Sequence, residues 1–194
     1  MVIGSSSPAP QNPGVPEKLN TGYIWLISIV AAMGGLLFGW DWVVVGGAKP
    51  FFERYFHLTT EAQIGWANSC ALIGCLVGAM GAGALSDRFG RKPLLTLAAL
   101  LFAVTSIGNG LADTFTSFII WRIFGGVAIG LASSLSPMYI SEVAPARMRG
   151  KLVSINQLTI VVGILVAQLV NWYLVRDLGA SIEVALGADA TAAA

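Results

Sequence analysis

The chain has 194 residues, of which 56% are hydrophobic and only 11% are charged, and its mean hydropathy is +0.76. A soluble domain would carry roughly 25% charged residues, so the composition excludes a soluble globular protein and predicts an all-α membrane protein. The formal net charge of +1 and the lack of a basic stripe give no indication of a nucleic-acid partner.

The chain begins with residues 1–21, which are rich in Ser, Pro, Gly and Asn and show no apolar period. This composition predicts a disordered tail. The tail is not basic, and the apolar run that follows it is too long for the core of a signal peptide. We therefore expect the first apolar run to remain as an uncleaved helix.

Five apolar runs follow, each long enough to cross about 30 Å of hydrocarbon. The last of them ends near residue 175, and the remaining stretch, 177–194, is too short and too weakly apolar to add a sixth span. The predicted transmembrane helices cover residues 23–46, 64–85, 93–112, 115–138 and 152–175.

The loops between these runs differ in charge, which predicts an orientation. One side carries seven cations and the other three, so the seven mark the cytoplasmic side by the positive-inside rule. We thus expect a cytoplasmic N-terminus, a cytoplasmic tail over residues 1–21 and an outer tail over residues 177–194. The seven are Lys18, Arg88, Arg91, Lys92, Arg147, Arg149 and Lys151, and the three are Lys49, Arg54 and Arg176.

Two charged residues lie inside apolar runs, Asp41 near the end of the first and Arg122 near the start of the fourth. An ionisable side chain at membrane depth is costly and usually faces water or an opposite charge. At ~1.5 Å per residue, Asp41 lies about 6–8 Å and Arg122 about 10 Å from the outer face. We expect the two to pair, either as a static ion pair or as a proton-accepting carboxylate held by a movable arginine.

The remaining polar and small residues predict little chemistry. Cys70 and Cys75 are five positions apart, so they face different sides of one helix and form neither a disulfide nor a metal site. Small residues four apart in the second and fourth runs favour close helix packing. The spans carry no set of nucleophile, base or metal ligands, so the sequence predicts no enzyme, metal or cofactor.

Several segments give the chain a family resemblance. It resembles the N-terminal half of a major facilitator superfamily transporter of the sugar porter type, from about Gly34 to Asn171. The loop after the fourth run is the most specific of the matching segments. The segments are GLLFGWDWVVVGG from Gly35, GALSDRFGRK from Gly83, RIFGGVAIG from Arg122, PMYISEVAPARMRG from Pro137 and QLTIVVGILVAQLVN from Gln157.

The resemblance implies a transport function and candidate residues for it. Phe38 and Gln157 stand where the family contacts its sugar, and Gln157 is expected to be a buried amide that bonds either a sugar hydroxyl or another helix. Asp41 stands where proton symporters carry a carboxylate. Because an adjacent guanidinium favours the ionised carboxylate, withdrawal of Arg122 would favour its protonation. Ile164 stands in place of a second glutamine, and packing is the expected role of Gln168.

The loop motifs add a candidate gate. Opposite charges at helix ends can hold helices in one arrangement and release them in another, whereas the simpler interpretation is a set of cations that fix topology. The gate residues implied by the resemblance are Asp87, Arg88, Arg91, Glu142 and Arg149.

The superfamily has twelve helices in two halves, so residues 22–176 correspond to a truncated N-terminal domain. The expected partners are a monosaccharide, a proton, the lipid bilayer of the cell membrane and the missing C-terminal half. The alternative is a non-transporting membrane fragment with only a packing or regulatory role.

Overall fold

The structure, a computed structural model, describes residues 20–174 and residue 176. This part of the chain forms five helices that are each long and apolar enough to cross a membrane. The predicted tails lie outside the described residues except for Asn20, which caps the first helix, and Thr21, which begins it. The helices are α1 (Thr21–Tyr55), α2 (Glu61–Phe89), α3 (Arg91–Gly110), α4 (Phe115–Val143) and α5 (Arg149–Leu174).

Most helices are longer than the apolar runs that predicted them. α1 continues to Tyr55 rather than ending at residue 46, even though Pro50 lies inside it. The added turns are held by Phe52, which is buried against the Phe118 ring of α4, with ring centroids 5.5 Å apart. A membrane helix tolerates an internal proline when its neighbours pack around it. The apolar run thus identified the span but not the end of the helix.

The other boundaries differ in the same way. α2 extends at both ends, α4 continues through its internal Pro137, and α5 begins three residues before residue 152. α3 is the exception, because it begins at Arg91 rather than at residue 93 and ends at Gly110 rather than at residue 112. Charged residues at helix ends weaken an apolar pattern without breaking the helical hydrogen bonds, so sequence patterns place helix ends poorly.

The connection between α2 and α3 is a single residue, Gly90. Its φ of 85° lies in the left-handed region, which glycine adopts without steric cost. Its N–H donates to the carbonyl oxygen of Ser86 at 2.9 Å, closing the end of α2. This glycine allows two long helices to reverse direction with one residue between them.

α4 is the centre of the bundle. About 61% of its most apolar window is buried inside the protein, compared with 17% for α5. It packs against α1, α2, α3 and α5, and its buried face includes Gly125, Gly126 and Gly130. The other helices use one face for packing and leave the opposite face apolar and exposed, as expected for surfaces that meet lipid.

Two helix pairs share one packing geometry, which reveals an internal repeat. In the α1–α5 pair, a Cβ added at Gly35 or Gly39 would strike the backbone of Asn156 or Ile160. In the α2–α4 pair, a Cβ added at Gly126 or Gly130 would strike the backbone of residue 71 or 75. The interval from residue 35 of α1 to residue 126 of α4 equals the interval from 39 to 130. The interval from residue 71 of α2 to residue 156 of α5 likewise equals that from 75 to 160. α4 therefore corresponds to α1, and α5 corresponds to α2.

A groove runs between α1 and α3, with α4 as its floor. One part, near Gly110, has a volume of about 1240 Å³ and includes Asp41 and Arg122 in its lining. The other part has a volume of about 390 Å³, and its lining includes Gly34, Lys92 and Tyr139. Asp41 and Arg122 therefore line the same cavity.

Candidate transport site

Asp41 and Arg122 form an ion pair between α1 and α4. The Arg122 Nη1 donates to both carboxylate oxygens of Asp41, at 2.9 Å and 3.0 Å. The Arg122 side chain is 6% exposed and that of Asp41 is 18% exposed. The expected contact between the two helices is therefore present, although α1 continues well beyond the depth from which the contact was predicted.

The pair is asymmetric in its access to the surroundings. Both residues line the larger part of the groove, but Asp41 is the more exposed of the two. The Nε of Arg122 is buried and has no hydrogen-bond partner among residues 20–174. Bidentate arginine–carboxylate pairs use two parallel N–H···O bonds, whereas here Nη1 alone makes both contacts.

Phe38 and Gln157 lie beside the seam between α1 and α5. The two helices run parallel, because Gly35, Gly39 and Gly47 face α5 at the successive positions 156, 160 and 171. Phe38 precedes Gly39, which faces α5, and Gln157 follows Asn156, which faces α1. In parallel helices these neighbouring positions lie on the same side of the pair. The register also places them within about one helical turn of the same depth.

The expectation that Gln157 is buried was wrong, since its side chain is exposed. It makes no hydrogen bond with the other described residues, so the alternative of an inter-helix bond does not hold either. The reason is helix rotation: Asn156, one position earlier, faces the seam and is buried. Gln168 lies on nearly the same face as Gln157 and is also exposed, whereas Ile164 is half-buried.

Four polar residues that the sequence analysis did not single out stabilise the α1–α5 seam and its contact with α4. The Ser136 hydroxyl lies 2.6 Å from the carbonyl oxygen of Ala31, and the Thr159 hydroxyl donates to the carbonyl oxygen of Ala32 at 2.7 Å. For the three residues on α5, the signal that could have found them is the spacing of polar residues along that helix, which matches its small residues that face α1. Ser136 lies on α4 and carried no such signal. The four are Ser136, Asn156, Thr159 and Asn171.

Three of the five predicted gate residues meet at the end of the bundle that carries Gly90. Arg91 donates through Nε to Glu142 at 2.9 Å and through Nη1 to Asp87 at 2.8 Å. The same Nη1 lies 3.0 Å from the carbonyl oxygen of Ser86 and so helps to close α2. Arg91 thereby links the ends of α2, α3 and α4 through hydrogen bonds that involve charge.

The other two predicted gate residues do not join this network. Arg88 follows Asp87 on α2 and points elsewhere, with its guanidinium carbon 5.6 Å from the centre of the Phe89 ring. Arg149 is the first residue of α5 and is exposed, and its side chain makes no hydrogen bond or ion pair within residues 20–174. Spacing along the chain could not predict that Arg91, rather than Arg88 or Arg149, would form the ion pairs, because its partner Glu142 is brought to it by the end of α4.

Comparison with known proteins identifies the family. A family model described as "Sugar (and other) transporter" matches residues 27–187, which is most of the chain. This chain belongs to that family. The family is one of transporters rather than enzymes, and the matched structures include members of the major facilitator superfamily.

Individual relatives agree with this assignment. The chain is 44% identical over 179 residues to the glucose transport protein of Synechocystis sp., with 92% of this chain and 37% of that protein covered. It is 40% identical to the D-xylose-proton symporter of Escherichia coli over 189 residues, with 84% and 38% covered. The chain therefore spans less than two fifths of the length of these relatives.

The fold agrees as well. An inward-open structure of the xylose transporter from E. coli matches with a TM-score of 0.75 and 40% sequence identity. The match covers 80% of this chain and 40% of that one. The five helices therefore form a multi-pass membrane bundle that corresponds to the N-terminal part of a sugar porter, as the sequence motifs implied.

Proposed function

We propose that this chain is the N-terminal part of a transporter that carries a monosaccharide together with a proton across the cell membrane. The observation that carries the proposal is the Asp41–Arg122 ion pair, which joins two apolar helices and lies in the lining of the larger part of the groove. Relatives named as proton symporters for xylose, arabinose and galactose support the substrate class.

Asp41 is the proposed proton carrier and Arg122 its movable counter-charge. The proposed coupling rests on the contact between the two side chains, which closes or opens as α1 and α4 move together or apart. A change in the distance between α1 and α4 would thus load or release a proton. Transport becomes coupled to the proton gradient because protonation and helix arrangement depend on each other.

Phe38 and Gln157 are the proposed sugar contacts within this half. An exposed amide can both donate to and accept from sugar hydroxyls, and an aromatic face packs against the apolar face of a sugar ring. Their common side and similar depth along the α1–α5 seam support a shared ligand. The other wall of such a site would come from the remaining part of the transporter.

Arg91, Asp87 and Glu142 are proposed to act as a latch. Their hydrogen bonds link three helix ends outside the apolar core, where water can compete for each partner. Such contacts are weak enough to break and reform during a transport cycle. They would hold the helices together in one state and part in another.

The proton role can be tested in a fusion of this chain to the remaining part of the E. coli D-xylose-proton symporter. In cells energised by a pH gradient, the fusion should accumulate labelled xylose against its concentration gradient. Asp41→Asn should abolish this uphill accumulation and leave downhill exchange, because the amide keeps the shape of the side chain but cannot release a proton. Uphill accumulation by Asp41→Asn would show that the proton is carried elsewhere.

Gln157→Ala is the matched variant for the sugar role. It should leave coupling intact and weaken the apparent affinity for sugar by about two- to tenfold, the equivalent of one lost hydrogen bond of about 0.5–1.5 kcal/mol. A fusion that moves no sugar while it reaches the membrane in normal amounts would favour the non-transporting alternative. The chain expressed without the remaining part is expected to give no uptake.

The proposed orientation places the N-terminus and the Gly90 connection in the cytoplasm. The cation bias between the two sides supports it. Reporter fusions after Lys92 and after Arg176 should report the cytoplasm and the exterior, respectively. The same compartment for both reporters would contradict this orientation.

A further inference from the structure

We propose that Asn156 is a positioning residue for the sugar-facing side of α5. Its buried amide, held through Ser136 of α4, sets the rotation of α5 and thereby the direction in which Gln157 points. This inference rests on the proposed function, because the sugar contact of Gln157 is itself a proposal.

Asn156 lies where α1, α4 and α5 meet. Its side-chain oxygen Oδ1 accepts from the hydroxyl of Ser136 at 2.7 Å, and that hydroxyl is 2.6 Å from the carbonyl oxygen of Ala31. A hydroxyl has one hydrogen to donate, so the two oxygens share Ser136 as their donor. One serine then joins the backbone of α1 to a side chain of α5.

Two neighbours restrict the position further. The Thr159 hydroxyl lies 2.7 Å from the carbonyl oxygen of Ala32 and 2.8 Å from that of Asn156. A Cβ added at Gly35 would lie 2.8 Å from the Asn156 carbonyl oxygen and 2.9 Å from its side-chain oxygen. α1 is therefore in direct contact with this part of α5, with no room for a side chain between them.

The polar contacts resist rotation of α5. Asn156 is only 7% exposed and Ser136 is fully buried, so a rotation that separated them would leave polar groups without partners in an apolar interior. Successive helix residues differ by about 100°, since there are 3.6 residues per turn. With Asn156 held in the seam, Gln157 must point to the side of the α1–α5 pair on which Phe38 lies.

The internal repeat shows that the hydrogen bonds of Asn156 and Thr159 occur in the α1–α5 pair and have no counterpart in the α2–α4 pair. The position of α2 that corresponds to Asn156 is Ala71, and the one that corresponds to Thr159 is Gly74. Neither can form a side-chain hydrogen bond. A helix pair of this geometry therefore packs closely without a side-chain amide. The role left for the Asn156 amide is to set the rotation of α5.

Cross-linking measures the orientation directly in the membrane-embedded chain. In a background with Cys70→Ala and Cys75→Ala, the double variant Phe38→Cys/Gln157→Cys should be joined rapidly by a short bifunctional thiol reagent. Adding Asn156→Ala or Ser136→Ala should slow the cross-link by about two- to tenfold, as expected for the loss of one hydrogen bond. The two changes together should slow it little more than Ser136→Ala alone, because Ser136→Ala already removes the contact with Asn156 together with the one to Ala31.

Ala167→Gly is the matched control, because it loosens the packing between α1 and α5 without removing a hydrogen bond. Ala167 is fully buried on the same face of α5 but carries no polar group. Thr105→Val controls for loss of a buried hydroxyl outside the junction, since Thr105 bonds to its own helix. If Ala167→Gly slows the cross-link as much as Asn156→Ala, or if Asn156→Ala does not slow it at all, the positioning role is wrong.

Transport gives the second readout. In the fusion described above, Asn156→Ala should raise the KM for xylose by about two- to tenfold while the maximal rate per transporter stays unchanged. A merely structural residue would instead lower the number of working transporters and leave KM unchanged, which would overturn the proposal. A slowed cross-link with a fusion that does not transport would support the positioning of Gln157 and reject the proposed sugar function.

Discussion

The seam between α2 and α4 is built on glycine, whereas the equivalent seam between α1 and α5 also carries hydrogen-bonding side chains. In the first, Gly74 and Gly78 of α2 and Gly126 and Gly130 of α4 each face the backbone of the other helix. In the second, Gly74 is replaced by Thr159, whose hydroxyl donates to the α1 backbone. One packing geometry is thus stabilised by two kinds of contact.

The difference shows that how closely two helices approach and how each is rotated depend on different contacts. Glycines let two backbones approach until van der Waals and Cα–H···O contacts hold them, and these contacts change gradually as one helix turns. A side-chain hydrogen bond is lost when the angle changes, and the polar groups are then left without partners. The α2–α4 seam accordingly needs small residues, whereas the α1–α5 seam needs particular functional groups.

The strongest test of this comparison is Gly126→Ala on the α2–α4 seam. The new methyl group would contact the backbone of Ala71, so the helices must separate, at a cost of about 1–3 kcal/mol for overpacking. We expect a clear fall in the apparent melting temperature of the chain in detergent. Gly83→Ala is the control, since nothing lies within 4 Å of the added atom. Equal effects of the two changes would contradict a glycine-dependent seam.

A smaller effect is expected from Thr159→Val on the α1–α5 seam. Valine keeps the shape of threonine and removes the hydroxyl that bonds to Ala32, which should cost about 0.5–1.5 kcal/mol. The same melting measurement should show a smaller shift for Thr105→Val, whose hydroxyl bonds only within α3. A larger loss for Thr105→Val would mean that hydrogen bonding between helices does not distinguish this seam.

The smallest effect is expected at the far end of the same seam. Asn171 donates to the carbonyl oxygen of Val43 at 3.0 Å, and its side chain is only half-buried. Asn171→Leu should therefore cost about 0.6 kcal/mol, the average for such bonds between membrane helices. Asn68→Leu provides the comparison, because the Asn68 amide bonds to its own helix. If Asn171→Leu stabilised the chain, hydrogen bonds between α1 and α5 would contribute to stability only in the region around Asn156.

The comparison also shows what could be predicted for the site. The pairing of Asp41 with Arg122 could be predicted, because two opposite charges in apolar helices have few other ways to avoid an isolated charge in lipid. The role of Asn156 could not, because Asn156 and Gln157 are adjacent amides and only helix rotation decides which one is buried. Among the candidate gate cations, Arg91 was one of several equivalent positions until the end of α4 brought Glu142 to it.

Amino-acid order alone predicted a membrane protein with five apolar spans, indicated the sugar porters by resemblance, and predicted that Asp41 and Arg122 are partners. Each of these follows from hydrophobicity, charge or a motif, which are local properties of the chain. The tertiary structure decided the helix ends, the parallel seam of α1 and α5, and the exposure of Gln157. These depend on how whole helices rotate and pack, and a rotation of about 100° exchanges the roles of two neighbouring residues without changing any local pattern.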